Sequence, residues 1–127
     1  MKNILVIIVS VFIASCSGGL KDVKFDDNPY DNDYNGAPAT KITSIDTVIT
    51  PSITLIEIKY DRYYAQNDGV RLYRNGVKVG TFPNLLYASG VLRDNIAAVS
   101  GATYTYEVRL YLGSGEAKCA PVVYTVP

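Results

Sequence analysis

Apolar residues follow three regimes along the chain. From Ile4 to Ile13 they are almost unbroken, interrupted only by Ser10. Between residues 17 and 39 they show no period, and from Thr40 onward they recur in short alternating runs. The third regime predicts β-strands. "KITSIDTVIT" and "SITLIEIKY" are rich in Ile, Val and Thr, and Pro51 separates them. In the second run Thr54, Ile56, Ile58 and Tyr60 share one face, while Glu57 and Lys59 turn to the other. "VRLYRNGVKVGT" predicts a hairpin, because Asn75-Gly76 suits a two-residue type I′ turn whose central residues both need positive φ. That turn sets Arg74 against Val77, Tyr73 against Lys78 and Leu72 against Val79. Val70, Leu72, Val77 and Val79 are then expected in the core, and Arg71, Tyr73 and Lys78 outside it. In "GATYTYEVRLYLGSGEAKCAPVVYTV", Tyr104, Tyr106, Val108, Leu110 and Leu112 line one face, and Thr105, Glu107, Arg109 and Tyr111 the other. Gly113-Ser114-Gly115 turns the chain, and Val122, Tyr124 and Val126 suit a closing strand. "LLYASGVLRDNIAAV" is the one window with a hint of helical period, which Gly90 and its β-branched residues weaken. About seven strands, with turn signals about every 8–12 residues, predict an all-β, two-sheet antiparallel β-sandwich over residues 40–127.

Composition narrows the chemistry. The 127 residues have room for one domain, and 48% apolar content suffices for a core. Twelve Lys and Arg balance twelve Asp and Glu, which argues against a nucleic-acid partner held by bulk charge. There are eleven Tyr but no His and no Trp. Without His, a Ser/His or Cys/His nucleophile pair is excluded, the commonest zinc ligand is missing, and no cofactor is expected. Carboxylate chemistry is the remaining enzymatic reading, a small hydrolase using Asp61, Asp68, Asp94 or Glu107. One small sandwich offers little room for it, so a non-enzymatic role is expected.

The first regime has the layout of a secretory signal peptide, with Lys2 ahead of an apolar run too short to span a bilayer permanently. Ile13-Ala14-Ser15-Cys16 resembles a bacterial lipobox. The resemblance implies removal of residues 1–15 and acylation of Cys16, making the membrane a partner. Each buried CH₂ of an acyl chain contributes about 0.8 kcal/mol, so several chains together anchor firmly. Ser17 after the Cys is compatible with the outer membrane. Cys119 is then the lone thiol, expected as a small buried residue near the last strand, and no intramolecular disulfide can form. Residues 17–39 hold five Asp against two Lys and are rich in Gly, Asn and Pro, which predicts a solvated, flexible acidic tether. Its "FDDNPYD" segment resembles the tethers of Bacteroidetes lipoproteins. Within it Asp31, Asp33 and Asn35 match the start of a calcium loop, but the twelfth position is Ile42 in place of a bidentate Glu.

"GVRLYRNGVKVGT" followed by "LRDN" and "SGATYTYEVRLYLGSGEA" resembles the fibronectin type III pattern, over roughly Ile42 to Val126. The resemblance implies an immunoglobulin-like sandwich acting as a spacer or binding module. It places Tyr104 at the tyrosine corner, its hydroxyl bonded back to nearby backbone, and makes Tyr60 the stand-in for a missing Trp. It also pairs the hairpin with strand 103–112, bringing Arg71, Tyr73 and Lys78 beside Arg109 and Tyr111. Tyr and Arg are enriched in contact surfaces, so this face is the candidate site for a protein or polysaccharide partner. The alternative reading of the same residues is cross-strand pairing on a solvated sheet. A structural lipoprotein that self-associates through its strand edges is the alternative function.

Overall fold

The computed structural model describes residues 28–32, 34–83, 87–117 and 119–127. The apolar leader, Cys16 and the tether through residue 27 lie outside the described residues. The regular structure is entirely β: β1 (Thr40–Ile49), β2 (Thr54–Arg62), β3 (Gly69–Arg74), β4 (Val77–Pro83), β5 (Ser89–Asp94), β6 (Thr103–Leu112), β7 (Gly115–Glu116) and β8 (Val122–Thr125). One sheet has the order β1-β2-β5. The other runs β4-β3-β6-β7, with β8 also on β6. Every pairing is antiparallel. The two-sheet sandwich expected from the alternation forms, with eight strands rather than about seven. The difference lies in the closing strand, which is split: β7 pairs with Tyr111 and Leu112, β8 with Thr103 to Tyr106.

The core is built from alternate positions. Ile56, Ile58 and Tyr60 of β2 and Leu92 of β5 pack with Val70 and Leu72 of β3 and Tyr106, Val108 and Leu110 of β6. Each such aliphatic side chain contributes about 1.5–3 kcal/mol through removal from water. In β1 the register passes from Ile42↔Tyr60 to Ser44↔Lys59, leaving Thr43 as an extra residue. This bulge lets Ile42 and Ile45, three positions apart, both pack against the core. Tyr60 is buried, and Gly90 lies opposite it on β5. A Cβ at Gly90 would lie 2.6 Å from the Tyr60 hydroxyl oxygen, so the ring requires glycine there.

The hairpin turn forms as predicted, with φ of 51° at Asn75 and 77° at Gly76. Arg74 meets Val77 and Tyr73 meets Lys78, but the register then shifts, pairing Leu72 with Gly80 and Val70 with Phe82. Val79 is the extra residue of a bulge. The expectation that Val77 and Val79 belong to the core is therefore corrected: they are 65% and 37% exposed. The shift reverses the parity of β4 beyond the bulge, so that Phe82, the largest apolar residue of the strand, packs against the core instead.

The segment before β1 also departs from expectation. Residues 28–39 were expected to be solvated, yet Pro29, Tyr34 and Ala39 are buried. The Tyr30 hydroxyl donates to the Gln66 carbonyl at 2.7 Å. The Tyr34 hydroxyl donates to the Ala37 carbonyl and meets the Tyr64 hydroxyl at 3.1 Å. Tyr63 N–H bonds the Ala39 carbonyl, and Thr40 Oγ1 bonds the Val108 carbonyl of the facing sheet. Aromatic side chains that find both a cleft and a hydroxyl partner hold this stretch on the domain.

Candidate binding face

Strand parity assembles the face. The β3–β6 register sets Arg71 opposite Arg109, Tyr73 opposite Glu107 and Gly69 opposite Tyr111. All four predicted Arg and Tyr side chains thus share the outer surface of the larger sheet, the pairing that the sequence resemblance implied. The two guanidinium groups stack on diagonal neighbours: Arg71 lies 4.4 Å from the Tyr111 ring centroid and Arg109 lies 4.2 Å from that of Tyr73. Such contacts contribute about 0.5–2 kcal/mol each, depending on desolvation.

Two like charges directly opposite on neighbouring strands repel, and here two carboxylates offset them. Glu116 of β7 accepts from Arg71 Nη1 at 2.6 Å, from the Tyr73 hydroxyl at 2.6 Å and from Arg109 Nη1 at 3.3 Å. Glu107 accepts from Arg109 Nη2 at 2.6 Å and Nε at 2.9 Å. Burial alone would raise the Glu116 carboxyl, but hydrogen bonds from Tyr73, Arg71 and Arg109 hold it below its ordinary value. Burial and the bond to Glu116 raise the Tyr73 hydroxyl. The result is a charge-balanced, pre-positioned platform rather than a basic patch. Lys78, opposite Tyr73 and exposed, makes no ion pair with a described residue. The Tyr111 hydroxyl likewise has no hydrogen-bond partner among the described residues.

The split closing strand opens a cleft beside the platform. Glu107, Arg109, Glu116, Ala117 and Cys119 line a volume of about 300 Å³ there. Cys119 is half-buried, and its Sγ donates to Glu107 Oε2 at 3.3 Å. Burial, then the Glu107 hydrogen bond and charge, push its thiol up to about 12, so it is a neutral donor and not a nucleophile near neutral pH. Cys119 thus faces a carboxylate instead of serving as a fully buried apolar residue.

Other anticipated residues take different places. Tyr104 is partly buried, tilted 57° against Tyr106, and its hydroxyl bonds no described residue, so no corner bond forms there. The buried hydroxyl bond belongs to Tyr106, which donates to Asp94 Oδ2 at 2.8 Å; Arg74 Nη1 donates to the same oxygen at 2.6 Å. Of the calcium-loop candidates, Asp33 lies outside the described residues. Asp31 accepts from the Asn28 amide at 2.8 Å in a turn, and Asn35 is exposed. No three metal-ligating side chains converge among the described residues. The four candidate hydrolase carboxylates are not brought together. Asp94 is buried between the sheets, Glu107 lies on the outer face of the larger sheet, and Asp61 is on the smaller sheet. Asp68 accepts the Gly113 N–H in a loop.

Glu116 is the residue of this face that sequence alone did not single out. The two-residue turn Gly113-Ser114, which sets Leu112 against Gly115 and Tyr111 against Glu116, carried the signal. In comparisons with known proteins, the chain matches no family model, no curated protein and no solved structure.

Proposed function

We propose that the protein is a lipid-anchored lipoprotein of the bacterial cell envelope, held at the outer membrane through acylated Cys16. Its fibronectin type III-like sandwich acts as a non-catalytic module that binds a protein or glycan partner. The lipobox-like Ile13-Ala14-Ser15-Cys16 supports the anchor. A strand order of β1-β2-β5 against β4-β3-β6 and the closing strands is consistent with the fold assignment. The observation that carries the binding role is the rigid Arg71/Tyr73/Arg109/Tyr111 platform beside its cleft, because side chains already immobilised lose little entropy on contact.

The test has two parts. In cells fed a labelled fatty acid, the wild-type protein takes up label and stays with membranes, and Cys16→Ser abolishes both; label retained by Cys16→Ser refutes the anchor. Glycan arrays and envelope extracts are then probed with wild type, Tyr111→Ala and Val91→Ala, the last on the other sheet. Capture that weakens about tenfold or more in Tyr111→Ala and persists in Val91→Ala supports the platform. Capture indifferent to Tyr111 refutes it.

A further inference from the structure

Seven of the eleven tyrosines, at positions 30, 34, 60, 63, 64, 87 and 111, lie toward one end of the sandwich. The register shows why they meet. Thr40 pairs with Arg62, Asp61 with Ser89, and Gly69 with both Pro83 and Tyr111, so the start of β1, the end of β2 and the loops 63–68 and 113–114 share that end. Residues 28–39 dock there as well, through Tyr30 on Gln66 and Tyr34 on Tyr64. The chain therefore leaves toward its N-terminus from the tyrosine-rich end. The opposite end carries the turns at 50–53 and 75–76 and the last residue, Pro127.

Eleven residues lie between Cys16 and Asn28. They reach at most about 40 Å fully extended, and about 20 Å as the unstructured linker the sequence predicts. The ten-residue β1 alone is about 30 Å long. As an unstructured linker its average span is shorter than the domain, which favours the docked end as the one nearest the anchor. Lys41 and Asp61 sit opposite one another at that end, one cation against one anion, and the remaining charges there are hydrogen-bonded. Arg62 donates to the carbonyls of Tyr87 and Tyr64, Asp68 accepts from Gly113, and Asp31 accepts from Asn28. Two aromatic rings project from it: Tyr63 is 59% exposed and Tyr87 is 76% exposed. Tyrosine, an apolar ring with a polar tip, partitions to the headgroup layer of a bilayer.

We infer that this end is a membrane-contact surface, with Tyr63 and Tyr87 seated in the lipid headgroup layer. The inference rests on acylation of Cys16. The tether then fixes orientation as well as location, turning the Arg/Tyr platform sideways to the membrane and the 50–53 and 75–76 turns away from it.

The absence of native Trp supplies the test. Tyr63→Trp, Tyr87→Trp and, at the far end, Val99→Trp are each introduced into the full-length gene. The processed proteins are reconstituted into phosphatidylcholine vesicles with and without bromine high in the acyl chains. Flotation is scored first, because protein that fails to float overturns the anchor and the inference with it. Among floating proteins, emission from Tyr63→Trp and Tyr87→Trp is expected to fall severalfold in brominated vesicles while Val99→Trp is unchanged. Hydrogen exchange of unsubstituted protein is expected to slow at residues 63–66 and 87–89 on vesicles relative to detergent. Floating protein without quenching at either site, or with equal quenching at all three, overturns the contact surface and leaves the anchor standing. Unchanged exchange in the unsubstituted protein overturns it as well.

Discussion

Glu116 gathers three donors from two other strands onto one carboxylate, so its protonation bears on the whole outer face. Its carboxyl titrates below its ordinary value in the folded protein. The stabilisation it supplies is therefore fully present above the unfolded value, about 4.3, and is lost as pH falls through the folded value. Glu116→Gln is expected to be less stable than wild type at pH 7, with the gap closing as pH drops below about 4. Urea unfolding at a series of pH values measures this, and a gap independent of pH would show that the carboxylate charge is not the source. Arg71, Tyr73, Arg109 and Tyr111 were legible as one surface because strand parity sorts each strand's faces and the fibronectin type III resemblance implied that the two strands pair. The partnership with Glu116 needed the register of a second, very short hairpin. The burial of Asp94 with Arg74 and Tyr106 had no local signature, since it depends on how closely two sheets approach.

Within single elements, alternation was a sound guide wherever a strand buries one face along its length. Ile56, Ile58 and Tyr60 in β2 and Tyr106, Val108 and Leu110 in β6 are buried as their spacing implied. It failed in β4, where a bulge at Val79 substitutes Phe82 for the nearer valines. The cause is nonlocal, because Val70 and the core beyond it accept the larger ring, and no feature of "NGVKVGT" reports that. Gly69 belongs to the same arrangement: a Cβ there would lie 2.2 Å from the Phe82 carbonyl oxygen. Val79→Ala is expected to change stability by no more than about 0.5 kcal/mol. Phe82→Ala should cost about 2 kcal/mol, below the value for a fully buried Phe because the ring is only partly covered. Equal losses in thermal or urea unfolding would mean that the unshifted register is populated.

Across the molecule, three polar contacts join the sheets at different places. Thr40 bonds the Val108 carbonyl, Thr47 Oγ1 meets the Tyr124 hydroxyl at 2.7 Å, and Arg74 and Tyr106 converge on Asp94. Asp94 is 6% exposed, so removing its charge leaves a guanidinium and a phenol with poorer partners. Asp94→Asn is expected to cost about 2–4 kcal/mol. Asp46→Asn, which loses an exposed 3.9 Å pair with Lys59, should stay within about 0.5 kcal/mol. Comparable losses would mean that the clamp is no stronger than a surface pair. The split closing strand has a consequence at this scale too. Long, straight sheet margins template pairing between neighbouring copies. Here β1 is interrupted by its bulge, β4 by another bulge and Pro83, the closing strand by its break, and β5 is only six residues long. Where many copies crowd together, each presents only short or interrupted backbone ladders to the next, a geometry that disfavours fibrous aggregation.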